Sequence, residues 1–262
     1  MGEVWRGYDE VLGREVAVKE IRPVGLIIGP PRSLPDKLID VIMQEAGAVV
    51  RLDHPGIAAT YDAVLSDGTP WIVTEFIAGP AVAQVIQAQG PLAWQRTAAL
   101  GADLAEALAY AHAAGVIHAR LNPSNVLLGG GRTVIIDFAL TDSLLDRLFG
   151  DSDQLVDSRA MDTFRYFAPE QVQFQPVQAP ADMWALGATL YTAVEGCPPF
   201  AGGDGLQFVS DILYQPIPTP KHAGPIASIL NSLMTKDPGQ RPSASVAAEL
   251  LHAATANKTG SA

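Results

Sequence analysis

The sequence predicts an α+β fold in two lobes, and three observations predict it. Strand-like stretches crowd the first 76 residues, helical periodicities dominate from about residue 92, and Gly79-Pro80 stands where the character changes. A length of 262 residues suits one large domain or two lobes sharing a cleft. With 48% hydrophobic and 17% charged residues, the chain has enough apolar surface for a core and too little charge for disorder.

Residues 3–9 and 15–21 run apolar or alternate around Leu12-Gly13-Arg14, which reads as a β-hairpin carrying Val16, Val18 and Ile21. The proline-rich stretch 22–35 reads as a loop. Leu38, Ile39, Ile42, Met43, Ala46 and Val49 recur at helical spacing, with Asp36 placed as N-cap. Residues 57–65 and 70–76 read as strands around the turn Ser66-Asp67-Gly68-Thr69. A long alanine-rich helix follows over 92–114, with Leu100, Leu104 and Leu108 on one face and Gly115 as its stop. Short strands at 126–128 and 133–136 flank a run of glycines. Helical patterns then occupy about 180–195, 204–214, 223–235 and 243–253. The first lobe spans 1–76, the hinge 75–80, the second lobe 80–251, and 252–262 is a small, polar, frayed tail.

Charge and cysteine content narrow the function classes. A net charge of −11 repels phosphate backbones and anionic membrane faces, which argues against nucleic acid as a partner. The single cysteine, Cys197, forms no internal disulfide and suits a reducing, cytoplasmic setting. No run of ~18 apolar residues is present to span a bilayer, and Met1-Gly2-Glu3-Val4-Trp5-Arg6 lacks the apolar centre of a signal peptide.

A set of motifs runs along the chain in order. Val16-Ala17-Val18-Lys19 places a lysine on a strand, and Gln44-Glu45-Ala46 places an acid on the next helix, ahead of Leu52-Asp53-His54-Pro55-Gly56-Ile57. His118-Ala119-Arg120-Leu121-Asn122-Pro123-Ser124-Asn125 comes next, and Asp137-Phe138-Ala139 begins twelve residues after Asn125. Ala168-Pro169-Glu170, Asp182-Met183-Trp184-Ala185-Leu186-Gly187, Gly196-Cys197-Pro198-Pro199-Phe200 and Asp237-Pro238-Gly239-Gln240-Arg241-Pro242 complete the set. Each has a plain reading by itself: a strand lysine in solvent, a solvated helix glutamate, a chance tripeptide, a loop. In this order and spacing, over about residues 2–251, they resemble the protein kinase family, and most nearly its bacterial serine/threonine members of actinobacterial type. Sugar and aminoglycoside phosphotransferases share a loop ending in asparagine but lack the segments at 168–170 and 182–187.

The resemblance implies a bilobal kinase-like fold over 1–251 and assigns roles. Lys19 would hold nucleotide phosphates and pair with Glu45; Asn125 and Asp137 would be Mg²⁺ ligands. Val4, Ala17, Thr74, Glu75, Ile77 and Leu127 would surround adenine, with backbone groups at 75 and 77 bonding it. His118, Phe138 and Asp182 would be structural, and Glu170 would bridge Arg241. Gly2 would be the third glycine of the phosphate-covering loop. The first strand and two glycines of that pattern do not precede it, as a late-assigned start or a truncation would produce.

Departures from the family pattern bear on activity. Arg120 stands where an aspartate accepts the substrate hydroxyl's proton, and Asn122 where a lysine assists. An arginine cannot take that proton. Ala119 replaces an arginine that receives an activating phosphate, and Ala139 replaces a glycine. The aspartate-rich stretch 140–162 reads as a solvated loop or as an acidic docking strip, with Ser152, Ser158 and Thr163 as candidate phosphosites. The expectation is a catalytically impaired regulatory or partner-binding module. It would bind ATP and Mg²⁺ weakly and engage proteins such as an active kinase or a phospho-binding domain. The alternative is an active serine/threonine kinase with a non-standard loop.

Overall fold

The computed structural model describes residues 3–21, 36–138, 163–200 and 205–256. Strands β1 (Val4–Asp9) and β2 (Arg14–Glu20) form the foreseen hairpin; Asp9 Oδ1 accepts from the amides of Val11 and Leu12 and shapes its turn. Helix α1 spans Asp36–Val49, so Asp36 is the first helical residue and not the cap before it. Strands β3 (Thr60–Ser66) and β4 (Thr69–Glu75) meet at Asp67 and Gly68, both at positive φ (50° and 74°). That pair of angles is what a two-residue primed turn requires. The four strands make one antiparallel sheet in the order β1-β2-β4-β3. Residues 57–59 stay outside it because Ile57 turns back on His54 and bridges to Ile135 in parallel. Ile39, Ile42 and Ala46 of α1 pack with Ile21 and Ile72 against the sheet as a small separate core.

The second lobe is helical. Helix α2 (Val82–Gln89) is absent from the sequence expectation. It is short, its N-cap Ala81 offers no side-chain oxygen, and the Ala81 amide is bonded by Gln84 Oε1 at 2.8 Å instead. Helix α3 (Trp94–Ala113) buries Leu100, Leu104 and Leu108 as the periodicity required. Strands β5 (Val126–Gly129) and β6 (Arg132–Ile135) form a two-stranded ribbon. Helices α4 (Pro169–Val172), α5 (Ala179–Glu195), α6 (Gly205–Tyr214), α7 (Ala227–Leu233) and α8 (Ala244–Ala256) follow. Every residue of α5 from Ala181 to Val194 is buried, so this helix is the axis on which α3 and α7 pack. Among the described residues no helix is long and apolar enough to cross a membrane.

The lobes join through backbone. Gly79 runs so close to β5 that a Cβ there would sit 2.0 Å from the Leu128 carbonyl oxygen, which only glycine permits. Leu128 N donates to Pro80 O, Ala58 N to Ile135 O, and Glu75 N to Ala59 O, at 2.8–2.9 Å. Ala58, Ile77 and Val134 form a third apolar cluster at this seam.

Lys236 gives the second lobe a pH-sensitive contact. Its ammonium donates to Ile212 O and lies over the rings of Trp184 and Phe200. Burial, then the neighbouring Arg241 charge, push its pKa down to about 8 from 10.5, with Asp211 acting the other way. The folded form therefore sheds this proton before the unfolded chain does, so stability rises as pH climbs from about 8 to about 10.5. Urea melts at pH 7.5 and 9.5 should show wild type gaining on Lys236→Met across that interval; parallel behaviour would refute the assignment.

Candidate functional site

The cleft between the lobes is built from backbone first. The loop after α3 is anchored by Asp182 near the start of α5, whose carboxylate is completely buried. Its Oδ2 accepts from His118 N at 2.8 Å and its Oδ1 from Ala119 N at 2.7 Å, while His112 Nε2 lies 2.7 Å from Oδ2. These bonds hold Ala119 at φ 65°, a left-handed conformation that costs a non-glycine residue ~1–3 kcal/mol. The Ala119 carbonyl is held from the other side by Gln171 Nε2 at 2.8 Å. Sequence reasoning missed His112 and Gln171. Their signals were only a histidine in the last turn of a helix and a glutamine beside Glu170.

His118 is fully buried. Its Nε2 donates to Ile136 O at 2.9 Å and its Nδ1 accepts from Arg120 N at 3.2 Å, which fixes the neutral tautomer. Burial pushes its pKa down, against the opposing Asp182 charge. Its ring meets Phe138 edge-on at 4.7 Å.

Asn122 is turned into the loop and not toward the cleft. It is buried, accepts from Ser124 N at 2.8 Å and donates to Arg120 O at 3.0 Å, so it caps the short 3₁₀ turn Pro123–Asn125. Asn125 Nδ2 donates to the same carbonyl at 3.1 Å, which leaves its amide oxygen as the group available to a cation.

The apolar part of the cleft has a volume of about 180 Å³ and brings together Val4, Ala17, Lys19, Thr74, Glu75, Ile77, Leu127, Asp137 and Phe138. That is below the ~300–1,000 Å³ of sites that enclose a drug-sized ligand. Ala46 and Val49 of α1 line the space behind Thr74. The Glu75 side chain is directed to Arg132, which also donates to Pro55 O at 3.0 Å, so residue 75 offers the cleft its backbone.

The acid that the structure shows bonded to Lys19 is Asp137. Lys19 Nζ bonds Asp137 Oδ2 at 2.6 Å, and Glu45 sits half-buried on α1 outside the cleft lining. The cause is the poor solvation of Asp137: burial alone would raise its pKa. Lys19, by charge and hydrogen bond, then His118 and Arg120, hold the carboxyl below its ordinary value. Burial lowers the Arg120 pKa, and Asp137 opposes that shift. A divalent cation here would meet one neutral amide oxygen and one carboxylate already bonded by Lys19. Among the described residues no three His, Cys, Asp or Glu side chains gather as a metal site.

Away from the cleft, the Glu170–Arg241 bridge is present, bidentate at 2.6 and 2.8 Å. Thr163 is only 7% exposed as placed. Gly2, Ala139, Ser152 and Ser158 lie outside the described residues.

Comparison with known proteins agrees with this geometry. The family model described as "Protein kinase domain" matches residues 1–253. The DNA damage-responsive serine/threonine-protein kinase RqkA of Deinococcus radiodurans is 32% identical, over 94% of this chain and 36% of its own length. The serine/threonine-protein kinase PkaA of Streptomyces coelicolor is 33% identical, over 93% of this chain and 46% of its own. This chain thus spans less than half of either relative. The crystal structure of Rad53 1-466 in complex with AMP-PNP superposes with a TM-score of 0.73 at 21% identity, covering 94% of this chain and 60% of that one.

Proposed function

The chain belongs to the protein kinase domain family, and from that premise we propose that it is a catalytically impaired member. It would act as a regulatory or partner-binding module that keeps an adenine-nucleotide cleft. Arg120 carries this reading. It occupies the position of the family's proton acceptor, its backbone is pinned at both N–H and C=O, and its guanidinium acts on Asp137. A positioned base contributes ~10²–10⁴ in rate, and a cation at that place also opposes docking of a hydroxyl about to lose its proton. Supporting a retained scaffold are the Asp182 anchor, the Glu170–Arg241 bridge and the apolar cleft. The partner would be a protein, consistent with a net charge of −11 that disfavours nucleic acid.

The second reading, an active serine/threonine kinase with a non-standard loop, is favoured by the names of the relatives and by the intact loop anchor. Phosphate incorporation into a generic protein substrate separates the two. With ATP and Mg²⁺, wild type should match the background of Lys19→Met; incorporation above that background, lost in Lys19→Met, would overturn the impaired reading. Nucleotide binding is read separately by thermal shift: ATP at a hundred times its Kd adds ~2.7 kcal/mol to stability.

A further inference from the structure

We infer that a second groove, behind the hinge, docks an extended segment of a partner protein that carries an aliphatic side chain between an acid and a base. This gives the partner-binding reading above its surface, and so rests on that reading. The groove runs between α3 and the β5–β6 ribbon, with Gly79 and Pro80 of the hinge along one side. Its volume is about 460 Å³, against about 180 Å³ for the cleft. Alternate residues of β5 serve the two cavities: Leu127 lines the cleft and Leu128 the groove. No residue assigned to nucleotide or metal lines the groove.

One stripe of α3 faces this space. Arg96, Ala99, Leu100 and Asp103 stand at i, i+3, i+4 and i+7, so a cation and an anion lie two turns apart with apolar residues between them. Among the described residues Arg96 has no hydrogen-bond or ion-pair partner. Arg132, also at the groove, is spent on Glu75 and the Pro55 carbonyl. Thr133 donates to Asp103 Oδ2 at 2.8 Å, which holds that carboxylate against the ribbon and leaves its other oxygen open. Two helical turns span ~10 Å, about three residues of extended chain. Ala99, Asp103, Gly79, Pro80 and Gly130 are exposed, so the groove is an open trough. A trough covers one side of its occupant, which suits a peptide strand better than a small molecule that needs enclosure. The occupant's acid meets Arg96, its base meets Asp103, and its aliphatic side chain rests between Ala99 and Leu128. A net charge of −11 repels acidic segments from the chain as a whole, which makes an unpaired arginine in a groove selective for one.

The test is a displayed library of random linear peptides, panned on the full chain and counter-selected on Ala99→Trp. Ala99 is exposed, so the indole fills the trough without entering the core. Peptides kept by wild type and lost on Ala99→Trp should carry an acid and a base about three residues apart around an aliphatic residue. Made synthetically, they should bind Arg96→Glu at least about tenfold more weakly, because like charges then meet. Changing the peptide's acid to lysine should weaken binding to wild type and restore it on Arg96→Glu. Thermal melts confirm that both variants are folded. Peptides indifferent to Ala99→Trp, or groove-dependent peptides unaffected by Arg96→Glu, overturn the inference and leave partner binding to another face. An empty selection overturns it too. The impaired-module reading is judged by phosphate incorporation, so the two failures stay distinct.

Discussion

Replacing Arg241 with methionine lowers the stability of the fold by about 3–5 kcal/mol, the usual cost of stranding one partner of a buried ion pair. For a domain of this size that is a fall of roughly 6–20 °C in Tm. The guanidinium is fully buried and all of its nitrogens are engaged. Nε donates to Thr235 O at 2.8 Å, Nη1 to Glu170 Oε1 and Pro180 O at 2.6 and 2.7 Å, and Nη2 to Glu170 Oε2 and Lys236 O at 2.8 and 3.2 Å. Arg241→Met strands the buried Glu170 carboxylate and three carbonyls together. Glu170→Gln keeps the shape and one of the two acceptors, but it sets an amide NH2 against a guanidinium N–H and leaves the buried cation unpaired, so it too should be destabilised. The double change to Arg241→Met and Glu170→Met should recover part of the loss, because apolar replacement of both partners removes the stranded charge. Urea melts of the three variants decide it. An Arg241→Met protein within about 1 kcal/mol of wild type would mean the fork is decorative.

The reach of this bridge extends to the cleft. Glu170 opens α4, and the next residue, Gln171, holds the Ala119 carbonyl. Arg241, Glu170, Gln171 and Ala119 are thus linked in series from the base of the second lobe to the loop that carries Arg120. The bridge was legible in the sequence because a charged pair at motif positions has few other uses in a core. Gln171 was not, because an amide beside a motif carries no spacing signal.

Other differences between sequence and structure have equally local causes. Helix α5 is buried around its whole circumference and shows little amphipathic stripe, yet its helical pattern was readable over about 180–195, within a residue of its observed bounds. Helix α2 lacks a side-chain cap and was missed for that reason. The strands were readable to within a few residues because β-branched alternation and the Asp67-Gly68 turn are short-range signals. The Lys19–Asp137 bond was not read from the sequence because motif order cannot say how deeply the Asp137 carboxylate is desolvated. Asn122 was taken as a damaged lysine position. The structure makes it a working cap whose two hydrogen bonds a lysine cannot reproduce.

That last point bears on which substitution would raise phosphotransfer. Arg120→Asp alone should raise transfer from ATP to a protein hydroxyl by about 10²–10⁴ over wild type, the range a positioned base contributes. The loop into which the acid would be placed is already set. Asp182 holds the backbone of residues 118 and 119, Asn122 and Asn125 hold the carbonyl of residue 120, and none of these bonds uses the Arg120 side chain. The exchange also replaces a cation by an anionic oxygen, the kind of ligand Mg²⁺ favours. Adding Asn122→Lys should forfeit part of the gain, since it places an ammonium at a 4% exposed position and breaks the cap. Phosphate incorporation with Mg²⁺, set against Lys19→Met in the Arg120→Asp background, measures the effect. A folded Arg120→Asp protein that binds ATP yet transfers no faster than wild type would show that a carboxylate at this position does not by itself confer transfer.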